Sequence, residues 1–142
     1  MSTVIPDLWP EIISVAEGNT PVTILRRQAV NLGKRTRNLV YGEVRSRPFD
    51  GGKKIELAFD VVAPLVGYQE TILRVSHDVV AFYPVQIVES ELTKRTPNFR
   101  HVTAETEAEF TNKLREFLNH PAVLELVQAL LAQSTTTDSD PE

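Results

Sequence analysis

The chain has 142 residues, 42% of them hydrophobic and 24% charged, which fits one globular domain with a single core and excludes a collagenous, fibrous or wholly disordered polypeptide. It has no cysteine, which rules out disulfides, thiolate nucleophiles and sulfur-ligated zinc and fits the cytosol. The net charge of −4 is unevenly spread: residues 1–54 carry nine Lys/Arg against five Asp/Glu, whereas residues 55–142 carry six against fourteen. The opening residues lack the basic region and unbroken apolar stretch of a signal peptide. The apolar run from Ala122 to Ala132 is far shorter than the roughly 20 residues of a membrane span. A cytoplasmic protein with no membrane contact is expected.

Residues 1–19 read as an arm or a short helix from Leu8 to Ala16, with Asp7 as its cap and Pro10 in the first turn, where a missing N–H does no harm. A single α+β domain is expected over residues 20–133. Thr20 as cap and Pro21 at the first helical position start a helix whose apolar stripe is Val22, Leu25, Ala29 and Leu32. Gly33 either ends this helix or lies inside it while the helix runs on to Thr36.

From Leu39 the period becomes alternating. A first strand is expected over Leu39–Arg47, then a turn at Pro48-Phe49-Asp50-Gly51-Gly52, where Asp-Gly supplies positive φ. The second strand, Lys53–Val62, points Ile55, Leu57, Phe59 and Val61 inward and Lys54, Glu56 and Asp60 outward. A third runs from about Gln69 to Ser76, and His77-Asp78 reads as a tight turn into a fourth, Val79–Val88. That strand is apolar on both faces, with Pro84 marking a break or an edge. Ser90–Val102 reads as a connecting loop. The capping box Thr106-x-x-Glu109 opens a helix with Phe110, Leu114, Phe117 and Leu118 on one face, and another follows from Ala122 to about Gln133. Residues 134–142 read as a disordered acidic tail. The expected fold is a four-stranded antiparallel meander flanked by an N-terminal helix and two C-terminal helices.

The chemistry-bearing residues are few. Ser76-His77-Asp78 spells a triad in sequence, but adjacent strand residues point to opposite faces and triads are assembled in space, so a hydrolase using His77 and Asp78 is only an alternative. His101 and His120 lack metal-ligand spacing, and no Gly-rich phosphate loop is present, so neither metal nor cofactor is expected. The acids Glu105, Glu107 and Glu109 are what a helix N-terminus favours in any case. Arg26, Arg27, Lys34 and Arg37 share a sector of roughly 100° on a helix continued past Gly33. With Arg45 and Arg47 they form a candidate anion-binding set, the basis of an alternative reading as a nucleic-acid or polyanion binder.

Pro21-Val22-Thr23-Ile24-Leu25-Arg26-Arg27-Gln28-Ala29, Leu32-Gly33-Lys34-Arg35-Thr36, Leu39-Val40 and Tyr83-Pro84-Val85 together resemble a family of small bacterial proteins of no assigned function. The resemblance implies a bacterial origin and supplies no activity, cofactor or site residue.

Two features point to a partner. Trp9, the single tryptophan, lies in the arm and is either a cover over an open edge of the chain's own core, the favoured reading, or a candidate anchor for a partner. On a helix from Ala122 the apolar residues cover an arc of roughly 220°, too wide for one packing surface. The extra width must be buried against the preceding helix, through Phe110, Leu114, Phe117 and Leu118, or against another chain, which makes Leu124 and Leu131 candidates for a contact with a protein partner or with a second copy in a homodimer. The sequence reads as a non-enzymatic binding or regulatory module.

Overall fold

A computed structural model describes residues 4–16, 18–89 and 101–138. Helix α1 (Pro21–Arg35) starts where Thr20 Oγ1 accepts from the Thr23 amide at 3.3 Å. Gly33 is inside the helix, and the chain turns out only at Arg37 and Asn38, both at positive φ. Thr36 fastens this corner. Its hydroxyl meets the Leu32 carbonyl at 3.0 Å, contacts the Val40 carbonyl and accepts from the Val40 amide at 3.2 Å, tying the helix end to the first strand.

The sheet is a five-stranded antiparallel meander, β1-β2-β3-β4-β5, with strands Tyr41–Phe49, Lys54–Ala63, Tyr68–Asp78, Ala81–Glu89 and His101–Ala104. The fifth strand corrects the four-strand expectation. Its four residues fall partly in the stretch read as a loop, and only Val102 and Ala104 turn inward, too few for an alternating pattern to stand out. Residues 90–100 of that expected loop lie outside the described residues. The β1–β2 loop uses Asp50, Gly51 and Gly52 at positive φ, as the Asp-Gly signal requires. His77-Asp78 is not the turn between β3 and β4: both belong to β3, and Val79-Val80 makes the turn. Pro84 follows a cis peptide bond and has no ladder partner. The β3 pairing skips from Ala81 to Gln86 and the β5 pairing begins at Val85.

Helices α2 (Glu107–Leu118) and α3 (Pro121–Asp138) follow β5. Thr106 caps the helix, its Oγ1 accepting from the Glu109 amide at 3.1 Å, while Glu109 Oε2 reaches one residue past the expected capping-box partner and accepts from the Glu105 amide at 2.7 Å. Helix α3 continues through 134–138, where the sequence suggests a tail, while residues 139–142 lie outside the described residues. Leu25 and Ala29 of α1, Phe110, Leu114 and Phe117 of α2, and Val123 and Leu130 of α3 share one core with Leu57, Phe59 and Val61 of β2. The expected inward set of β2 is the observed one, with Ile55 only partly buried. No helix of the described residues is long and apolar enough to cross a membrane.

Candidate functional site

Three places on the molecule bring chemistry together. The first is the sheet face opposite the helices. Asp60 lies there as the alternation predicts, yet it is only 2% exposed, because side chains from both neighbouring strands close over it. Arg45 donates to its two oxygens at 2.9 and 3.2 Å, Gln69 Nε2 donates at 3.1 Å, and Thr71 donates through its hydroxyl. Burial alone pushes the carboxyl up, but the hydrogen bonds from Arg45, Thr71 and Gln69 outweigh it and hold it below its usual range. Beside this cluster Glu56 accepts from Arg47 at 3.3 Å and from Arg74 at 3.1 Å. The Asp60 carboxylate is enclosed by this network, while the arginines around it stay partly exposed at 47–72% of their side chains.

The structure does not assemble the six basic candidates into one surface. Arg26, Arg27 and Lys34 are on α1, and Arg37 lies two residues beyond its end, so it leaves the expected helical sector. Arg45 and Arg47 are on the far face of the sheet and are spent on Asp60 and Glu56.

The second place is a cavity of about 240 Å³ lined by Val22, Ile55, Leu57, Phe82, His77 and the side of Arg26. His77 sits at the irregularity between Ser76 and Asp78 in the β3–β4 ladder, edge-on to Phe82. Its Nδ1 meets the backbone carbonyls of Asp78 at 2.7 Å and Ala81 at 3.3 Å, which makes that nitrogen the protonated one and holds the ring as a brace for the turn. The Asp78 carboxylate makes no bond to the ring among the described residues, so the orienting group of a triad is not there. His120 also serves the backbone, accepting from the Ala122 amide at 3.1 Å at the start of α3. Among the described residues no group of three His, Cys, Asp or Glu is arranged to hold a metal.

The third place is the largest. Helix α1 packs on β1 and β2, α2 packs on β4 and β5, and α3 packs on α2 and β2, so that the sheet residues beneath the helices, Phe59, Val61 and Ile72, are only 1–2% exposed. The result is a groove of about 520 Å³ within the roughly 300–1,000 Å³ typical of ligand sites. Phe59, Val61 and Ile72 form its floor. Ile24 and Leu32 of α1 make one wall, and Leu114 and Leu118 of α2 with Val123, Leu124, Val127 and Leu131 of α3 make the other. Leu124 remains 43% exposed, so the wide apolar arc of α3 is covered on the core side and open on this one. The polar lining is neutral or basic: Gln28, Asn31 and Arg35 from α1, Arg115 and Asn119 from α2. Arg115 donates to Asn112 at 2.9 Å, and among the described residues neither arginine is paired with a carboxylate.

The arm stands apart from all three. Residues 4–16 form no helix, and Val4, Ile5, Leu8, Trp9, Ile12, Ile13 and Val15 are 71–91% exposed. A helix of nine residues is marginal in water without a surface to receive its apolar side, which is why the expected Leu8–Ala16 helix is not formed. The root of the arm is fastened. Asn19 donates to Glu107 from its backbone and side-chain nitrogens at 3.0 and 3.3 Å and accepts from the Tyr83 hydroxyl at 3.1 Å. Burial first, and the nearby Glu107 carboxylate second, push the Tyr83 phenol up to about 12, so it remains a donor at neutral pH.

Of the apolar candidates, Trp9 and Leu124 are exposed and Leu131 is partly buried beside the groove, whereas Arg35, Arg115 and Asp60 are not singled out from the sequence. Arg35 is nine residues past Arg26 and so lies on the opposite side of α1 from it, a phase that was legible in the sequence. No family model, no curated protein and no solved structure matches the chain.

Proposed function

We propose that this protein is a non-enzymatic binding module that receives an amphipathic helical segment of a protein partner in the groove between α1 and α2–α3. The observation that carries the reading is that groove: an apolar trough between the helices, with Leu124 exposed in its wall and, at its edge, two arginines that pair with no carboxylate among the described residues. Its composition suits a helix-in-groove contact, in which an apolar stripe is buried and flanking charges choose the partner. Basic edges favour a segment with acidic flanks and disfavour one with basic flanks. The cytosol is the compartment proposed, in keeping with the absence of cysteine.

The test is an amide NMR titration of the full chain with two synthetic helical peptides that share a Leu/Ile stripe and differ only in acidic or basic flanks. The acidic peptide is expected to shift amides of Ile24–Arg35 and of Leu114–Leu131, and the basic one to bind at least about ten-fold more weakly, the equivalent of 1.4 kcal/mol. Shifts elsewhere, or none with either peptide, would reject the groove as a docking surface.

A further inference from the structure

We infer that the segment the groove receives is the N-terminal arm of a second copy of this chain, folded into a helix over Leu8–Ala16. The inference rests on the groove reading above and names its partner.

Four observations support it. The arm carries a helical pattern that has no partner in its own fold: Leu8, Trp9, Ile12, Ile13 and Ala16 recur at spacings of three and four and fall within an arc of roughly 140°. The start of that helix is already in place, because Asp7 Oδ1 accepts from the Trp9 amide at 3.1 Å, the bond an N-cap makes to the second helical residue. Pro10 then falls at the third helical position, where no N–H is needed.

Length agrees as well. Nine helical residues extend about 13.5 Å, and the groove wall from Ile24 to Arg35 extends about 18 Å at 1.5 Å per residue. Charge agrees too. The first 25 residues contain Asp7 and Glu11 among their acids and no lysine or arginine, whereas the charged groove residues are Arg35 and Arg115.

The same chain leaves its own groove unfilled: its arm side chains Leu8, Trp9, Ile12 and Ile13 stay 71–84% exposed. Asn19 holds the root of the arm on Glu107 and Tyr83, neither of which lines the groove. Exchange between two copies leaves that anchor in place. It closes a two-fold pair in which each arm fills the other's groove and both exposed apolar surfaces are covered at once.

Trp9 is the only tryptophan, so its fluorescence reports the arm alone. The experiment is emission of the full chain over a concentration series, beside its mass by light scattering. The expected result is a blue shift that grows with concentration in step with dimer formation. Ile12→Glu, which changes an exposed arm residue, and Leu124→Glu, which changes the groove wall, should each weaken the dimer at least about ten-fold. Mixing the two variants should restore a heterodimer, because one intact arm then meets one intact groove. Ile12→Glu keeps the test valid even if Leu124→Glu proves unstable. A blue shift independent of concentration in a monomer would overturn the second copy in favour of the chain's own arm and leave the groove reading standing. A dimer whose Trp9 emission stays that of exposed tryptophan would overturn the inference, as would a monomer with exposed emission at high micromolar concentration. In either case the peptide titration still judges the groove itself.

Discussion

The two sides of α1 are built to different tolerances. Toward β1 the helix is in backbone contact with the sheet: a Cβ on Gly42 would lie 2.6 Å from Ala29 Cα, 2.7 Å from Ala29 Cβ and 2.8 Å from Phe59 Cζ. Toward α2 and α3 the same helix faces a trough of about 520 Å³. One seam is closed by choosing the smallest residues at a crossing, and the other is bordered by leucines and valines, of which Leu124 stays 43% exposed. One helix can therefore border a backbone-tight seam on one side and a looser, partly exposed apolar groove on the other, whose base of Phe59, Val61, Ile72, Leu114 and Val123 still belongs to the buried core.

This contrast can be broken by substitution. The largest effect is expected at Phe59, which is 2% exposed and lies at the junction of the closed seam and the groove floor. Phe59→Ala should cost about 3–5 kcal/mol in urea unfolding, and a loss under 1 kcal/mol would mean that this register of β2 is wrong. Gly42→Ala comes next. Its added methyl meets helix backbone, which cannot swing aside, so a cost of about 2–3 kcal/mol is expected although the substitution adds only one carbon. If the variant unfolds at the wild-type urea midpoint, the seam is looser than described.

The third effect compares the two faces of the sheet. Asp60→Asn removes the charge around which Arg45, Gln69 and Thr71 are arranged and should cost about 1.5–3 kcal/mol at neutral pH. Because the folded-state carboxyl titrates below its usual 3.8, its contribution is fully present above that value and is lost as the pH falls through the folded-state value. Wild type should therefore lose stability in this acid window more steeply than Asp60→Asn, and parallel curves would remove Asp60 from the account. The smallest effect belongs to the open seam. Leu124→Glu should change the stability of the monomer by less than about 0.5 kcal/mol, since Leu124 leaves little apolar contact behind.

Much of this was legible in the residues. The alternation of Ile55, Leu57, Phe59 and Val61 gave the core face of β2 because one buried face imposes a period of two. Thr20-Pro21 and Thr106-x-x-Glu109 gave two helix starts because capping is local chemistry. What escaped was non-local. Asp60 sits in a position that alternation marks as outward, and its burial depends on side chains from two other strands. Arg45 and Arg47 count as free cations in a charge tally, yet cross-strand carboxylates claim them. The trough itself is a gap between helices about ninety residues apart in sequence, and no periodicity encodes a gap. The width of the α3 arc was its one trace, and Leu124 and Leu131 on that arc both line the trough.

The meander order has a kinetic corollary. Every strand pairs with its neighbour in sequence, so the sheet can assemble by successive hairpin closures, and the Asp50–Lys53 turn lets β1 and β2 meet at small entropic cost. Strand β5 is the exception: it has four residues, and its pairing with β4 must close across the longer connection from Glu89 to His101. The sheet should therefore form from the β1–β2 end and open from the other. In native-state hydrogen exchange, the paired amides of His101–Ala104 should exchange through a low-energy local opening, well before those of Leu57–Val61.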